Sequence, residues 1–102
     1  MSAGHLDEMS PALNRAVVVL RAMAYEHRIH ILVLLQDSEQ TPASLAEAMS
    51  TDPTVVARHL RYLREARLVR RKRRGRQVAY TLQGEATRRL ITEVLHHAEH
   101  ST

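Results

Sequence analysis

The strongest constraint on the fold is a change of hydrophobic period at Leu68. Before this residue, the apolar positions that share one helix face are Val56, Leu60 and Leu63. After it, side chains alternate with a period of two, as in a strand, and Gly75 interrupts the alternation where a tight turn is favoured. An amphipathic helix followed by a β-hairpin is therefore predicted over residues 53–82.

The same part of the chain concentrates its positive charge. Ten basic residues and one acidic residue, Glu65, lie between Arg58 and Arg76, so this stretch has a net charge of +9, while the whole chain is +4 at pH 7. The basic residues are Arg58, Arg61, Arg64, Arg67, Arg70, Arg71, Lys72, Arg73, Arg74 and Arg76. A positive pole on an otherwise acidic chain predicts a polyanionic partner, most commonly nucleic acid. A solvated helix face, a membrane surface and RNA are alternative explanations of this charge.

Composition narrows the class of protein. A chain of 102 residues with 44% hydrophobic residues suits one small domain, which can bury more surface as an oligomer. The absence of cysteine excludes disulfides and thiolate metal ligands. Since no apolar run is long enough to span a membrane and residues 1–10 lack a signal-peptide core, we expect a cytoplasmic protein without a membrane partner. The sequence contains no nucleophile motif and no phosphate-binding loop, so we do not expect an enzyme.

Capping residues and apolar spacing predict a single domain over residues 11–100 after a mobile tail over residues 1–10. A cap followed by proline marks three helix starts, at Ser10-Pro11, Thr41-Pro42 and Asp52-Pro53. The first helix is predicted to place Leu13, Val17, Leu20 and Ala24 on one face, with Val18 and Val19 beside them. Further helices are predicted over residues 26–36, 42–49 (burying Leu45, Ala48 and Met49) and 85–100, and the hairpin turn at Arg74-Gly75.

A helix fits the major groove of duplex DNA, and residues near its N-terminus reach the base edges. On the helix that begins at Pro53, the predicted base contacts are Thr54, Val55, Arg58 and His59. Arg61 and Arg64 lie farther along and are predicted to meet phosphate. The hairpin tip, with Arg73, Arg74 and Arg76, is predicted to follow the DNA backbone or to enter a minor groove.

Seven histidines are present, and three of them, His96, His97 and His100, crowd the predicted last helix. Together with Glu93 they fall in one arc of about 100° around that helix. Imidazole and carboxylate ligands without thiolate suit nickel, cobalt or zinc. The alternative is that these histidines only complement the negative C-terminal end of the helix dipole. His27 and His30 are predicted to be structural residues near the core.

The segment "TPASLAEAMSTDPTVVARHLRYLREARLVRRKRRGRQVAYTL" resembles the DNA-binding half of the ArsR/SmtB family of bacterial metal-responsive repressors. Its most specific part is "ARHLRYLREARLV" with the basic, Gly-turned hairpin that follows, and "AMAYEHRIHILVLL" resembles the second helix of the family. The resemblance spans residues 12–100. It implies a mainly α winged helix-turn-helix of about five helices and a two-stranded wing. It also implies a homodimer through the first and last helices and a palindromic double-stranded DNA operator.

The resemblance also implies a metal site between the paired last helices, for nickel first and for zinc or cobalt as alternatives. Similar sensors carry Asp-x-His, ten residues, and then His-x-x-His or His-x-x-Glu. His97 and His100 match the second half, but Gly84 and Ala86 then occupy the first half and cannot be ligands. The register one residue earlier pairs His96 and Glu99 with Gln83 and Glu85.

Glu85 and His96 are eleven residues apart, or about 16 Å along a helix, so one ion can join them only across an antiparallel partner helix. The tail contributes His5 as a further candidate ligand, by its resemblance to the N-terminal tails of some nickel sensors. Two alternative functions stay open: an ArsR-type regulator with no metal effector, and a small architectural DNA-binding protein.

Overall fold

Five helices and one β-hairpin make up residues 10–101, the part of the chain that the computed structural model describes. In chain order the elements are α1 (Pro11–Met23), α2 (Glu26–Leu34), α3 (Pro42–Met49), α4 (Pro53–Glu65), β1 (Val69–Arg74), β2 (Gln77–Leu82) and α5 (Glu85–Glu99). The predicted mainly α winged helix-turn-helix architecture is confirmed. The tail prediction lies outside the described residues, apart from Ser10.

All three predicted cap-proline helix starts are confirmed. The Ser10 hydroxyl accepts hydrogen bonds from the first backbone N–H groups of α1. Thr41 and Ser44 form a reciprocal capping box at α3, with the Ser44 N–H donating to Thr41 Oγ1 at 3.0 Å. Asp52 caps α4. These caps satisfy N–H groups that a helix start leaves unpaired, so each boundary is encoded locally.

The core is aliphatic and gathers around α4. Its side chains with essentially no exposed surface are Ile31, Leu32, Leu35, Leu45, Val56, Leu60, Leu63, Val69 and Ile91. The predicted stripe of α4 is thus fully buried, against α2, α3 and the start of β1. Because this face is fixed in the core, the arginine-bearing face of α4 must point outward.

Two turns set the path of the chain around α4. Ser50 adopts left-handed backbone angles (φ 51°) between α3 and α4, which produces the helix-turn-helix. Arg67 does the same after α4 (φ 61°), and the Leu68 N–H donates to the Leu63 carbonyl at 2.9 Å. The second turn directs the chain from α4 into the wing, which is the β1–β2 hairpin.

The wing is an antiparallel pair whose register runs from Val69 opposite Leu82 to Arg74 opposite Gln77. The turn residues are therefore Gly75 and Arg76, and the prediction of Arg74-Gly75 was wrong by one residue because Arg74 is still paired. Gly75 has the positive φ (63°) that this two-residue turn requires. A backbone bridge between Gln40 and Tyr80 attaches the wing to the α2–α3 connection.

The predicted apolar face of α1 does not point into the core. Leu20 is 59% exposed and Val18 is 53% exposed, whereas Ala22 and Met23 are buried. α1 rests on the domain through the adjacent face, so Leu20 and Ala24 of the predicted stripe are exposed in a single chain, while Leu13 and Val17 are half-buried. In α5 only Ile91 is buried, while Leu90 and Leu95 are half-buried and Val94 is exposed.

Three smaller predictions were also wrong. α2 ends at Leu34, two residues before the predicted end. Ala48 is exposed, and Ala46 takes the buried position in α3, because the inward arc of this short helix is centred on Leu45. His30 is exposed rather than near the core. Within residues 10–101, none of the helices combines the length and apolarity needed to cross a membrane.

Leu60→Ala tests the burial of α4. Because Leu60 is fully buried at the centre of the core, we expect its truncation to lower the free energy of unfolding by about 2–5 kcal/mol. Urea denaturation followed by circular dichroism measures this change. A loss below about 1 kcal/mol would contradict the placement of Leu60 at the core.

Candidate nucleic-acid interface

The outward face of α4 is the centre of the candidate interface. Its exposed side chains include Thr54, Arg58, Arg61 and Arg64, while Val55 and His59 are half-buried. The face therefore offers a row of guanidinium groups on a helix whose opposite side is fixed in the core. A rigid helix with forked donors can bind both base edges and phosphates in a major groove.

The N-terminal end of α4 is ordered by its cap. The Thr54 N–H donates to Asp52 Oδ1 at 2.7 Å. This backbone hydrogen bond, with a second from the Thr54 side chain, lowers the pKa of Asp52 below its ordinary value. Asp52 therefore stays ionised and caps α4. The cap fixes the first turn of α4, which is the end of the helix from which base contacts are expected.

Arg61 forms the only ion pair within α4, to Glu65 at 3.5 Å, among the residues that the structure describes. The side chains of this pair are 81% and 62% exposed, so solvent screens the attraction and the guanidinium can exchange carboxylate for phosphate.

The wing brings a second set of basic groups beside α4. Arg70, Arg71, Arg73, Arg74 and Arg76 are exposed. Between residues 10 and 101, Arg73 and Arg76 take part in no ion pair. The tip of the wing, which includes Arg73 and Arg76, therefore presents two cations that a polyanion can bind.

Arg74 differs from its neighbours because it is bound to Glu39 in the α2–α3 connection. Its Nε and Nη2 atoms donate to the two carboxylate oxygens at 2.9 Å each. The hydrogen bond from Arg74 lowers the pKa of Glu39, and the same bond raises that of Arg74. Glu39 was missed by sequence reasoning, since no local pattern pairs two residues thirty-five positions apart.

His59, a predicted base contact, is turned toward the protein interior. Its Nδ1 lies 3.4 Å from Arg28 Nε, and its ring packs edge-on against His27 at 5.4 Å between centroids. Burial lowers the pKa of His59, and the nearby Arg28, His27 and Arg58 lower it further. Arg28 was also missed, because its spacing gives no signal of burial.

The candidate metal ligands lie on the exposed side of α5. His96, His97, Glu93 and Glu99 are exposed, and Glu85 pairs with Arg88 at 3.4 Å. The rings of His96 and His100 lie 4.2 Å apart, and His100 Nδ1 is 2.8 Å from the His96 carbonyl oxygen. No three potential ligands come together in one chain within residues 10–101. His5 lies outside the described residues.

An exposed arginine helix beside a basic wing, both fixed to an aliphatic core, defines a winged helix-turn-helix DNA-binding protein. Residues 26–71 match the family described as bacterial regulatory protein, arsR family. The transcriptional activator HlyU of Vibrio cholerae is 35% identical over 90% of this chain and 84% of its own length.

Solved structures agree with this assignment. The homodimeric winged helix-turn-helix DNA-binding domain Mb0332 from Mycobacterium bovis has a TM-score of 0.86 at 30% identity, covering 96% of this chain and 91% of that one. The cadmium metal-sensor CMTR from Mycobacterium tuberculosis has a TM-score of 0.67 at 35% identity, covering 76% and 80%. The chain belongs to the ArsR family of DNA-binding transcriptional regulators.

Arg58→Ala tests the face of α4 that we expect to read bases. Loss of a forked contact to guanine should weaken binding to specific DNA by roughly 1–3 kcal/mol in a mobility-shift titration. Arg89→Ala is the matched control, because Arg89 is an exposed arginine on α5 outside the basic stretch. Equal affinities of the two variants would remove Arg58 from the base contacts.

Proposed function

We propose that the protein is a homodimeric repressor that binds a palindromic double-stranded DNA site and is controlled by a transition metal. We propose nickel as the effector, with zinc and cobalt as alternatives. The DNA-binding part of this proposal rests on the difference between the two opposite faces of α4. One face is buried in the core, and the other presents arginines beside the basic wing.

The dimer is supported by apolar surface left exposed on the first and last helices. Leu20 on α1 and Val94 on α5 lie in solvent in the single chain, in an otherwise well-buried aliphatic domain. Pairing through these helices would cover that surface, and the similar Mycobacterium bovis domain is homodimeric. A two-fold axis then presents two copies of α4, which suits half-sites about one helical turn apart.

The positions and exposure of the predicted DNA contacts support different roles for them. We assign base contact to Thr54, Val55 and Arg58, near the start of α4. Phosphate contact is assigned to Arg61, Arg64, Arg73 and Arg76, which are exposed or weakly paired. Arg74 must leave Glu39 before it can contact phosphate, and we assign no base contact to His59 because its Nδ1 accepts a hydrogen bond from Arg28.

The metal proposal rests on the donors along α5. His96, His97 and His100 with Glu93 and Glu99 offer imidazole and carboxylate groups on one exposed side of the helix, and Glu85 would come from the antiparallel helix of a partner. A solved relative of similar fold is a cadmium metal-sensor. One observation favours a regulator without metal: the His100 ring lies against the His96 carbonyl and can serve as a helix end cap.

A metal held between two α5 helices would link the effector to DNA. The two α4 helices fit a duplex only at one spacing, and a bound ion would favour one spacing of the dimer over another. The ion can change DNA affinity only by binding these two states with different free energies. By the resemblance to the family, metal is expected to release DNA.

Selection of DNA duplexes from a random pool distinguishes a sequence-specific regulator from an architectural DNA-binding protein. We expect enrichment of a palindrome, and affinity for it should fall linearly with salt on a double-logarithmic plot. Arg76→Ala should reduce that slope by about two per dimer, since one phosphate contact is lost per protomer. Enrichment of no sequence would favour architectural binding.

Isothermal titration calorimetry with nickel, zinc and cobalt tests the metal site. The parent protein should bind, and the triple variant His96→Ala, His97→Ala, His100→Ala should lose the heat of binding. Glu47→Ala, an exposed acidic residue on α3, is a control that should retain it. Identical isotherms of parent and triple variant would favour a regulator that has no metal effector.

A further inference from the structure

Arg28 is a buried cation at the junction of three helices. Only 8% of its surface is exposed, and its side chain lies between two aromatic rings. The guanidinium carbon is 4.1 Å from the ring centroid of Tyr25 and 4.4 Å from that of Tyr62. Among the described residues no carboxylate pairs with it, so the rings stabilise the buried charge by cation–π contact.

The polar contacts of Arg28 connect the end of α1 to the middle of α4. Its Nη1 donates to the Ala22 carbonyl and its Nε donates to His59 Nδ1, both at 3.4 Å. Tyr62, one of the two stacking rings, also belongs to α4. A side chain on α2 therefore contacts α4 both by a hydrogen bond to His59 and by stacking on Tyr62.

This arrangement fixes the chemical form of His59. A guanidinium group can only donate hydrogen bonds, so Nδ1 of His59 must accept, and the ring is neutral with its proton on Nε2. The charged or titratable groups that surround the ring are Arg28 and His27 from α2 and Arg58 from α4 itself. A second proton would end the hydrogen bond and add a cation beside two arginines.

We propose that Arg28, acting through neutral His59, is a positioning residue that sets the orientation of α4 for base recognition. His59 then acts inside the protein and contacts no base. The inference rests on the proposed function, because it assigns a role in the same DNA-binding site.

If this role is right, disrupting the Arg28–His59 contact should reduce the specificity of DNA binding without abolishing DNA binding itself. Forked contacts to bases require the helix at a defined angle, whereas phosphate contacts from long arginine side chains tolerate small rotations. If α4 is released from Arg28, affinity for the selected palindrome should fall while affinity for unrelated duplex stays nearly unchanged. A role in stability alone would reduce the active fraction and lower both affinities by the same factor.

The sharpest test compares two substitutions of the half-buried His59. His59→Asn places an amide oxygen near the position of Nδ1 and keeps an acceptor for Arg28, whereas His59→Phe keeps a ring without an acceptor. We expect His59→Phe and Arg28→Met to lower the ratio of specific to non-specific affinity about tenfold, as for loss of a hydrogen bond to a charged group. His59→Asn should stay within about threefold of the parent.

The pH dependence of DNA-binding specificity provides an independent test of the role of His59. As pH falls from 7.5, the parent should lose specificity once His59 gains a proton, and because burial lowers the pKa of His59, this loss should come below the ordinary histidine value of 6.5. The His59→Asn variant keeps its acceptor and should show a flatter profile. All other histidines are present in both proteins, so the difference between the two profiles reports on position 59 and its contact with His27.

The outcomes separate this inference from the proposed function. If the parent protein selects no sequence, the proposed function fails. If it selects a palindrome but His59→Phe and His59→Asn give the same ratio, or the pH profiles coincide, the positioning role is wrong. Thermal melts of each variant confirm folding, and if Arg28→Met does not fold, the comparison of the two His59 variants decides the question alone.

Discussion

The burial of one face of α4 is the interaction on which the other features depend. Val56, Leu60 and Leu63 have no exposed surface, so a large rotation or a slide of the helix would open the core. The arginines of the opposite face are consequently held outward, and the left-handed turn at Arg67 places the basic wing beside them. The position of the nucleic-acid-binding surface thus follows from apolar packing, because the aliphatic core determines where the arginines point.

Local signals in the sequence predicted most of the fold. The cap-proline starts, the period change at Leu68 and the glycine of the hairpin each depend on neighbouring residues only, and each was confirmed, although the turn was shifted by one position. The stripe of α1 was assigned correctly as apolar, but the exposure of Leu20 and Ala24 within it was not predicted. Periodicity identifies an apolar face without saying whether it meets the core of its own chain or another surface.

The candidate site could be predicted only in part. The arginines of α4 and the wing follow from composition and helix geometry, and the structure finds them exposed. The contacts of Glu39 with Arg74 and of Arg28 with His59 join residues more than thirty positions apart. No pattern in one sequence encodes such pairs, yet they alter what Arg74 and His59 are free to bind. For the metal ligands, the family pattern can be aligned with the sequence in two registers, and each register matches it only in part. The side-chain positions in a single chain do not distinguish between the two registers.

Hydroxyl-radical footprinting of the protein on its selected duplex measures most directly whether two copies of α4 dock on DNA from a symmetric dimer. We expect two protected segments, related by a two-fold axis and centred about one helical turn apart on one face of the duplex. Protection of a single segment, or uniform protection without symmetry, would contradict the account.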